Sequence, residues 1–302
     1  MTLLIALIDV ALWITGQGGQ VEKDGAGNIV AIDLSSSWVN DSDLDRLRGL
    51  SHLQKLTLAH TRITDVGLGH LKTLPNVREF SCYFCEYITE DGIAQLKDWG
   101  RLEKLNLRGS KVTSKVFEHL AQLYNLRDLD VAHTQIFDDG FEHLAGLSKL
   151  ERLAIGGNRL DGTSLAMLKQ MPGLRYLDVG GIQRVDSGLW GLALTEANLK
   201  RLGELTQLTS LDLSGANLAD VELDKPGHPE AEKAELRDLS ALRTLVNLEL
   251  LDLSRTPVMP EALGVLSSMP KIRELRIGLC RKIDDAAIES IRARHPGLRV
   301  IR

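Results

Sequence analysis

Two of the chain's three cysteines, Cys82 and Cys85, stand three apart in the stretch SCYFCEYITEDG, residues 81–92. Thiols at that spacing suit a dithiol redox pair or one half of a zinc site. A zinc site needs about four ligands, and no second C-x-x-C or C-x-x-H pair occurs; the remaining cysteine is Cys280. Three aspartates, Asp178, Asp212 and Asp252, each end a short apolar run, in YLD, SLD and LLD. Carboxylates brought close together raise one another's pKa, as catalytic acid–base pairs do. No G-x-S-x-G, H-E-x-x-H, Walker-type or dinucleotide fingerprint accompanies them.

The elements that would position these residues follow from a repeat. A pattern L-x-x-L-x-L begins at Ile29, Leu53, Val77, Leu102, Leu126, Leu150, Leu174, Leu208, Leu248, Ile272 and Leu298, at intervals of 24, 24, 25, 24, 24, 24, 34, 40, 24 and 26 residues. Within LQKLTLAHTRITDVGLGHLKTL, Leu53, Leu56 and Leu58 mark a strand, and Ile63, Leu68, Leu71 and Leu74 recur at helical spacing. Thr64 and Asp65 suit a helix start, and the signature returns as ITEDGI, IFDDGF, VDSGL and, more loosely, IDDAAI. Each unit therefore reads as strand, turn and short helix.

With these units the chain resembles the leucine-rich repeat family, and ITDxGL within units of 24 to 26 residues is similar to its cysteine-containing, ribonuclease-inhibitor-like subclass. The resemblance covers residues 29–302. It implies an α/β solenoid of about ten units, a curved horseshoe with a parallel sheet on the concave face and short helices on the convex face, used to hold another protein. Counted from the first leucine of each unit, Cys82 takes position 6, elsewhere Leu58, Leu107 and Leu213, and Cys85 and Cys280 take position 9, elsewhere Thr61, Ser110, Thr134, Asn158 and Thr256. Both positions point inward, where cysteine acts as a small hydrophobe. The pair is expected to be structural.

Side chains alternate along a strand, so positions 3, 5, 7 and 8 are expected on the concave face. Tyr83 and Phe84 fill positions 7 and 8 where other units carry Ala59, Gly156, Gly180 or Ser214. With His60, Arg108 and His133 they form an aromatic and basic patch. Asp178, Asp212, Asp252 and Arg255 form a second group, the aspartates about 4.8 Å apart by strand spacing, with Arg152 and Arg276 near enough to compensate their charge. These nine residues of the two groups are the candidate partner-binding residues. His60 and His133 share position 8 three units apart, about 14 Å, too far to share a metal. His70, His119 and His143 fall on the helix face. No catalytic residue, metal or cofactor is expected.

The 302 residues are 43% hydrophobic, with net charge −5 and no concentrated basic patch, which gives no electrostatic reason to expect nucleic acid or an anionic membrane. An odd number of cysteines argues against a disulfide framework and for a reducing, cytoplasmic location. The apolar start MTLLIALIDVALWI carries Asp9, lacks a basic flank and is shorter than a membrane span; it is expected to pack as an amphipathic helix, with a clipped signal or anchor as the other reading. Residues 1–28 read as this helix plus a capping hairpin, with turns at Asp24-Gly25 and Gly27-Asn28, and 29–302 as the solenoid, with insertions near 186–198 and 219–238. In the first insertion both VDSGL and LTEANLKRLGEL match the helix signature, and either copy could be the extra one. The expected function is a monomeric, non-enzymatic module binding a protein partner on the concave face. The alternatives are a regulator of another enzyme (an inhibitor, a GTPase activator or a ubiquitin-ligase substrate receptor) and an enzyme using the aspartate row.

Overall fold

A computed structural model describes residues 10–181, 191–216, 218 and 235–302. The chain forms two compact units, the first ending at Gln135 and taking in Glu142–Leu150, the second made of Ile136–Phe141 and Glu151 onward.

The first unit holds β1 (Gln20–Lys23), β2 (Ile29–Asp33), β3 (Lys55–Thr57), β4 (Glu79–Ser81), β5 (Lys104–Asn106) and β6 (Asp128–Asp130). β1 pairs antiparallel with β2, and from β2 to β6 every neighbour is parallel and in register. The hairpin turn is built by Asp24, whose carboxylate accepts from the Ala26 and Asn28 N–H groups at 2.9 Å. Asn28 holds the Asp24 carboxyl below its ordinary pKa. A helical stretch over 10–16 precedes the hairpin and buries Ile14.

The second unit holds β7 (Arg152–Ala154), β8 (Tyr176–Asp178), β9 (Ser210–Asp212), β10 (Leu250–Asp252), β11 (Glu274–Arg276) and β12 (Arg299–Ile301), all parallel. The register stacks Leu153, Leu177, Leu211, Leu251 and Leu275 in one buried column, matched in the first unit by Ile32, Leu56, Phe80, Leu105 and Leu129. Of the two candidate helices near 186–198, Glu196–Gly203 packs against the flanking helices Thr163–Gln170 and Ser240–Thr244 as the regular helix of its repeat, capped by Thr195. Residues 195–198 are thus part of the repeat itself, while VDSGL and most of the 219–238 stretch lie outside the described residues. Leu236, at the end of that stretch, is buried and bridges to Val258.

The recurrent T-D-x-G signature has a cause that links successive repeats. Asp41 accepts from the Thr64 N–H and hydroxyl at 2.8 and 2.6 Å, and Asp65 accepts from the Thr89 N–H and hydroxyl at 2.9 and 2.7 Å. Glu90 does the same for Thr113, at 3.2 and 2.9 Å. The acidic residue of one helix start therefore organises the helix start of the next repeat, beyond any dipole effect on its own helix. Its carboxylate occupies the space beside the glycine of that next repeat: a Cβ on Gly67 would meet Asp41 Oδ1 at 2.5 Å, and one on Gly92 would run into Asp65 Oδ1.

Gly92 lies within the helix Glu90–Ala94, where helix propensity alone favours alanine by about 1 kcal/mol. Gly92→Ala should nevertheless destabilise the protein by about 1–3 kcal/mol through loss of the Asp65–Thr89 bonds. Gly264→Ala, where an added Cβ meets nothing within 4 Å, should be neutral or stabilising. Thermal or denaturant melts of the two variants decide it; equal effects would refute this role of the glycine.

Candidate functional site

The strand ends feed a turn that carries a positive φ at the same position in all ten repeats, near 52–74° in nine of them and 149° at Gly181. Position 8 is left-handed throughout: Ser36, His60, Phe84, His133, Arg255 and Leu279 have φ between 52° and 60°, and Gly109, Gly157, Gly181 and Gly215 fill the same position with positive φ. The turns at Ser36, His60, Phe84 and Gly109 are each held by the next repeat, as His60 N–H donates to Tyr83 O at 2.8 Å and Phe84 N–H to Arg108 O at 2.7 Å. A non-glycine residue in this conformation costs about 1 kcal/mol or more. Four candidate residues, His60, Phe84, His133 and Arg255, sit at this position, so their side chains are displayed at a cost that glycine would avoid.

In the first unit, His60, Tyr83 and Phe84 form one ring cluster. His60 stacks on Phe84 with centroids 5.7 Å apart and 14° between planes, and meets Tyr83 edge-on at 5.1 Å. Tyr83 and Phe84 are 4.7 Å apart. Their rings are half-buried and the histidine exposed, so Tyr83 and Phe84 support each other and still present an open face. Phe84 lies over the next repeat where only glycine fits, since a Cβ on Gly109 would stand 2.7 Å from its ring. Beside the cluster Arg108 Nε donates to Asp130 at 2.9 Å, and His133 is half-buried one repeat further on.

The strand starts of the same sheet are closed by their own charges. Lys104 pairs with Glu79 at 2.7 Å and Lys55 with Glu79 at 4.0 Å, while Arg78 pairs with Glu103 at 2.5 Å. The ring cluster lies outside this ion-pair ladder.

In the second unit the register does bring Asp178, Asp212 and Asp252 side by side. Each is engaged by its own backbone: Asp178 accepts from Gly180 N–H at 2.9 Å, Asp212 from Ser214 N–H at 2.8 Å and Asp252 from Ser254 N–H at 2.8 Å. Asp33, Asn106 and Asp130 make the same turn with Ser35, Arg108 and Ala132. Position 5 therefore builds the turn that leads into the left-handed residue, a role short polar side chains serve well. Asp178 and Asp252 are only 8% and 7% exposed. Burial pushes the Asp212 carboxyl above its ordinary pKa. Arg276 stands 3.7 Å from Asp252 and donates to Glu274 at 2.6 Å. Arg152, expected near the aspartates, lies 3.8 Å over the Tyr176 ring. Arg255 is exposed.

All three cysteines are free and buried. Cys85 Sγ donates to Leu58 O at 3.0 Å and Cys280 Sγ to Leu253 O at 3.0 Å, each reaching the preceding repeat. At the same position Thr61, Thr134 and Thr256 donate to a carbonyl of their own repeat at 2.6–2.7 Å. Burial pushes the Cys82 thiol up, while its hydrogen bond to Cys85 holds the latter down. Among the described residues no group of three or more His, Cys, Asp or Glu is placed to hold a metal, and no helix is long and apolar enough to cross a membrane.

Position 8 was not recognisable as a backbone constraint from strand alternation, although glycine at four of its ten occurrences was a usable sign. Trp38, in the loop after β2 and 87% exposed, also escaped the concave-face pattern because it follows the turn.

The family model described as Leucine Rich repeat matches residues 49–71. No curated protein matches the sequence. Among solved structures, an internalin from Listeria monocytogenes is 15% identical with a TM-score of 0.57, covering 98% of this chain and 87% of that one. Internalin C2 from the same organism is 19% identical with a TM-score of 0.46, covering 89% of this chain and 91% of that one. The chain has a leucine-rich repeat fold, an open parallel sheet backed by short helices.

Two outcomes follow from the turn geometry. Leu279 is 70% exposed at φ 58°, so Leu279→Gly should stabilise by about 0.5–1 kcal/mol; a loss of stability in the melt would contradict the strain. Asp212 has a raised folded pKa, so its ionised form costs stability, and that cost grows as pH rises from the ordinary carboxylate range through the folded value. Asp212→Asn keeps an acceptor for Ser214 and should melt higher than the parent at neutral pH, the gap closing near about pH 3. A gap that does not change with pH would show that the carboxyl is not desolvated.

Proposed function

We propose that this leucine-rich repeat chain is a non-enzymatic binding module that holds a protein partner on the sheet face of its first unit, the concave side in a repeat of this kind. Solenoids of stacked repeats offer a preformed surface, which lowers the ordering cost of association. The observation that carries the reading is the His60–Tyr83–Phe84 ring cluster, displayed from two left-handed turns beside the Arg108–Asp130 pair. Rigid aromatic side chains with a polar rim are what interface anchors are made of. The turn itself does not require side chains at His60 and Phe84, since Gly157 and Gly215 also make it with a left-handed φ. The aspartate row does not favour catalysis, because its carboxylates are committed to the turns that follow them.

A photoreactive phenylalanine analogue in place of Tyr83 should crosslink to a protein partner in an extract of the source cells, and the same analogue in place of exposed Tyr124 should not. Tyr83→Ala combined with Phe84→Gly, which respects the left-handed backbone, should weaken binding of the identified partner about 30-fold or more with an unchanged melt. Crosslinking only at position 124, or undiminished binding by the double variant, would overturn the reading.

A further inference from the structure

Only one repeat carries two thiols. Cys280 stands at position 9 of a unit that has Ile277 at position 6, whereas Cys82 and Cys85 fill both positions of a single unit, at the two ends of the turn that carries Tyr83 and Phe84. Packing accounts for a buried cysteine at either position taken alone. It does not account for the contact that the two sulfurs make with each other.

Cys85 N–H donates to Cys82 O at 3.0 Å, so residues 82–85 form a four-residue turn with Tyr83 and Phe84 at its centre. Such a turn holds its end Cα atoms within about 7 Å, and a disulfide spans Cα separations of about 4.4–6.8 Å. The two thiols are hydrogen-bonded to each other. Because the Cys85 proton goes to Leu58 O at 3.0 Å, Cys82 is the donor within the pair. Donation from Cys82, aided by Thr61 and His60, holds the Cys85 thiol below its ordinary pKa, while burial pushes Cys82 up. One sulfur is thus disposed to ionise and its neighbour to stay protonated, the division that thiol–disulfide chemistry uses. The Cys85 proton can also leave without orphaning its acceptor. Leu58 O keeps the Thr61 N–H at 3.2 Å and the Thr61 hydroxyl at 2.7 Å.

Cys280 is the built-in comparison. It is slightly more accessible, 6% exposed against 0% for Cys85, but burial pushes its thiol up and the chain's other two cysteines lie almost 200 residues away in sequence, in the other compact unit. Accessibility alone would favour oxidation at Cys280; the chemistry of the pair favours Cys85.

We propose that Cys82 and Cys85 form a peroxide-reactive dithiol that closes reversibly into a disulfide across the Tyr83–Phe84 turn. The Cys85 thiolate attacks one oxygen of hydrogen peroxide, the O–O bond breaks, and the leaving hydroxide takes up the Cys85 proton as water, giving a sulfenic acid at Cys85. The Cys82 sulfur then attacks the Cys85 sulfur, the S–O bond breaks, and the hydroxyl leaves with the Cys82 proton as a second water. Two thiols are oxidised and one peroxide is reduced; a small dithiol such as dithiothreitol reverses the change. Both sulfurs are buried, so the reaction proceeds through local opening of this turn rather than through unfolding. The disulfide covalently closes the turn that presents the two rings, yet the inference does not rest on the binding-module reading, because the site oxidises with or without a partner.

The test treats the full, reduced chain with hydrogen peroxide well below its melting temperature, blocks the remaining thiols with iodoacetamide, and reads intact mass and peptide maps. The expected product has lost two hydrogens, carries a Cys82–Cys85 disulfide, keeps Cys280 alkylatable, and returns to three free thiols with dithiothreitol. Cys85 should be consumed about tenfold or more faster than Cys280. Cys82→Leu, the residue of Leu58 and Leu107 at that position, should leave a Cys85 sulfenic acid that dimedone traps. Cys85→Thr, the residue of Thr61, should give no dimedone adduct on Cys82. Two free thiols after peroxide, Cys280 reacting as fast as Cys85, or sulfinic acid with no disulfide would each overturn the proposal in the parent chain alone, whatever the variants do. An equal adduct on Cys82 in a folded Cys85→Thr variant would overturn the assignment of the nucleophile. Failure of any of these leaves the crosslinking result at Tyr83 unaffected, and failure to crosslink a partner leaves the thiol map unaffected.

Discussion

A single turn of this chain cannot bury its own leucines, because its strand is mostly three residues long and no helix among the described residues exceeds three turns. Parallel, in-register pairing solves the problem by stacking position 4 of each repeat on position 4 of the next, so that Leu56, Phe80, Leu105 and Leu129 share one dry column. Every other regularity is subordinate to that register. The backbone hydrogen bonds run beyond the strands into the turns, and the left-handed residue at position 8 is where the chain leaves the sheet without breaking the ladder. Because the register recurs, any side chain at a given position lands beside its counterpart in the neighbouring repeat, which is how isolated residues become rows.

The period, the strand positions, the hairpin before the first repeat and the inward orientation of Cys82, Cys85 and Cys280 were legible in the sequence, because each depends on apolar spacing or on local turn residues such as Asp24 and Asn28. What was not legible depends on backbone sign or on contacts one repeat away. Alternation marked Asp178, Asp212 and Asp252 as a surface row, and the strands do align them, yet the N–H two residues ahead of each claims its carboxylate. Asp65 looked like a charge placed for its own helix, whereas its strongest bonds go to Thr89 in the next repeat. The ring cluster was visible as unusual residues at positions 7 and 8, but not the stacking on His60 nor the need for glycine at 109 beneath Phe84.

Two positions in the repeat show how a structural slot admits chemical variety. At position 9, threonine turns its hydroxyl back to a carbonyl of its own repeat, and cysteine, with a longer and weaker donor, reaches the carbonyl of the preceding one. Either choice satisfies a buried polar group, which is the condition the slot imposes. Ser110 occupies the same slot, and its hydroxyl has no partner. The hydroxyl is one carbon nearer the backbone than an asparagine amide and sits on a shorter bond than a cysteine sulfur, and it lacks the methyl that restricts threonine's rotamers.

Position 8 imposes a different condition, on backbone rather than side chain, and glycine meets it at the least cost. Where the fold alone decides, as at Gly157, Gly181 and Gly215, glycine is present. Where His60 and Phe84 stand instead, about 1 kcal/mol each is spent, and the stacking between their rings returns about 0.5–1.5 kcal/mol. The stacking returns only part of the strain, so the cluster still costs the fold about 0.5–1.5 kcal/mol, and its open ring faces remain available to contact something outside the fold. Leu279 has no such ring partner and keeps an apolar side chain mostly in water, so its strain is uncompensated. That asymmetry separates the first unit's cluster, which the fold tolerates, from the isolated residue in the second, which the fold only bears.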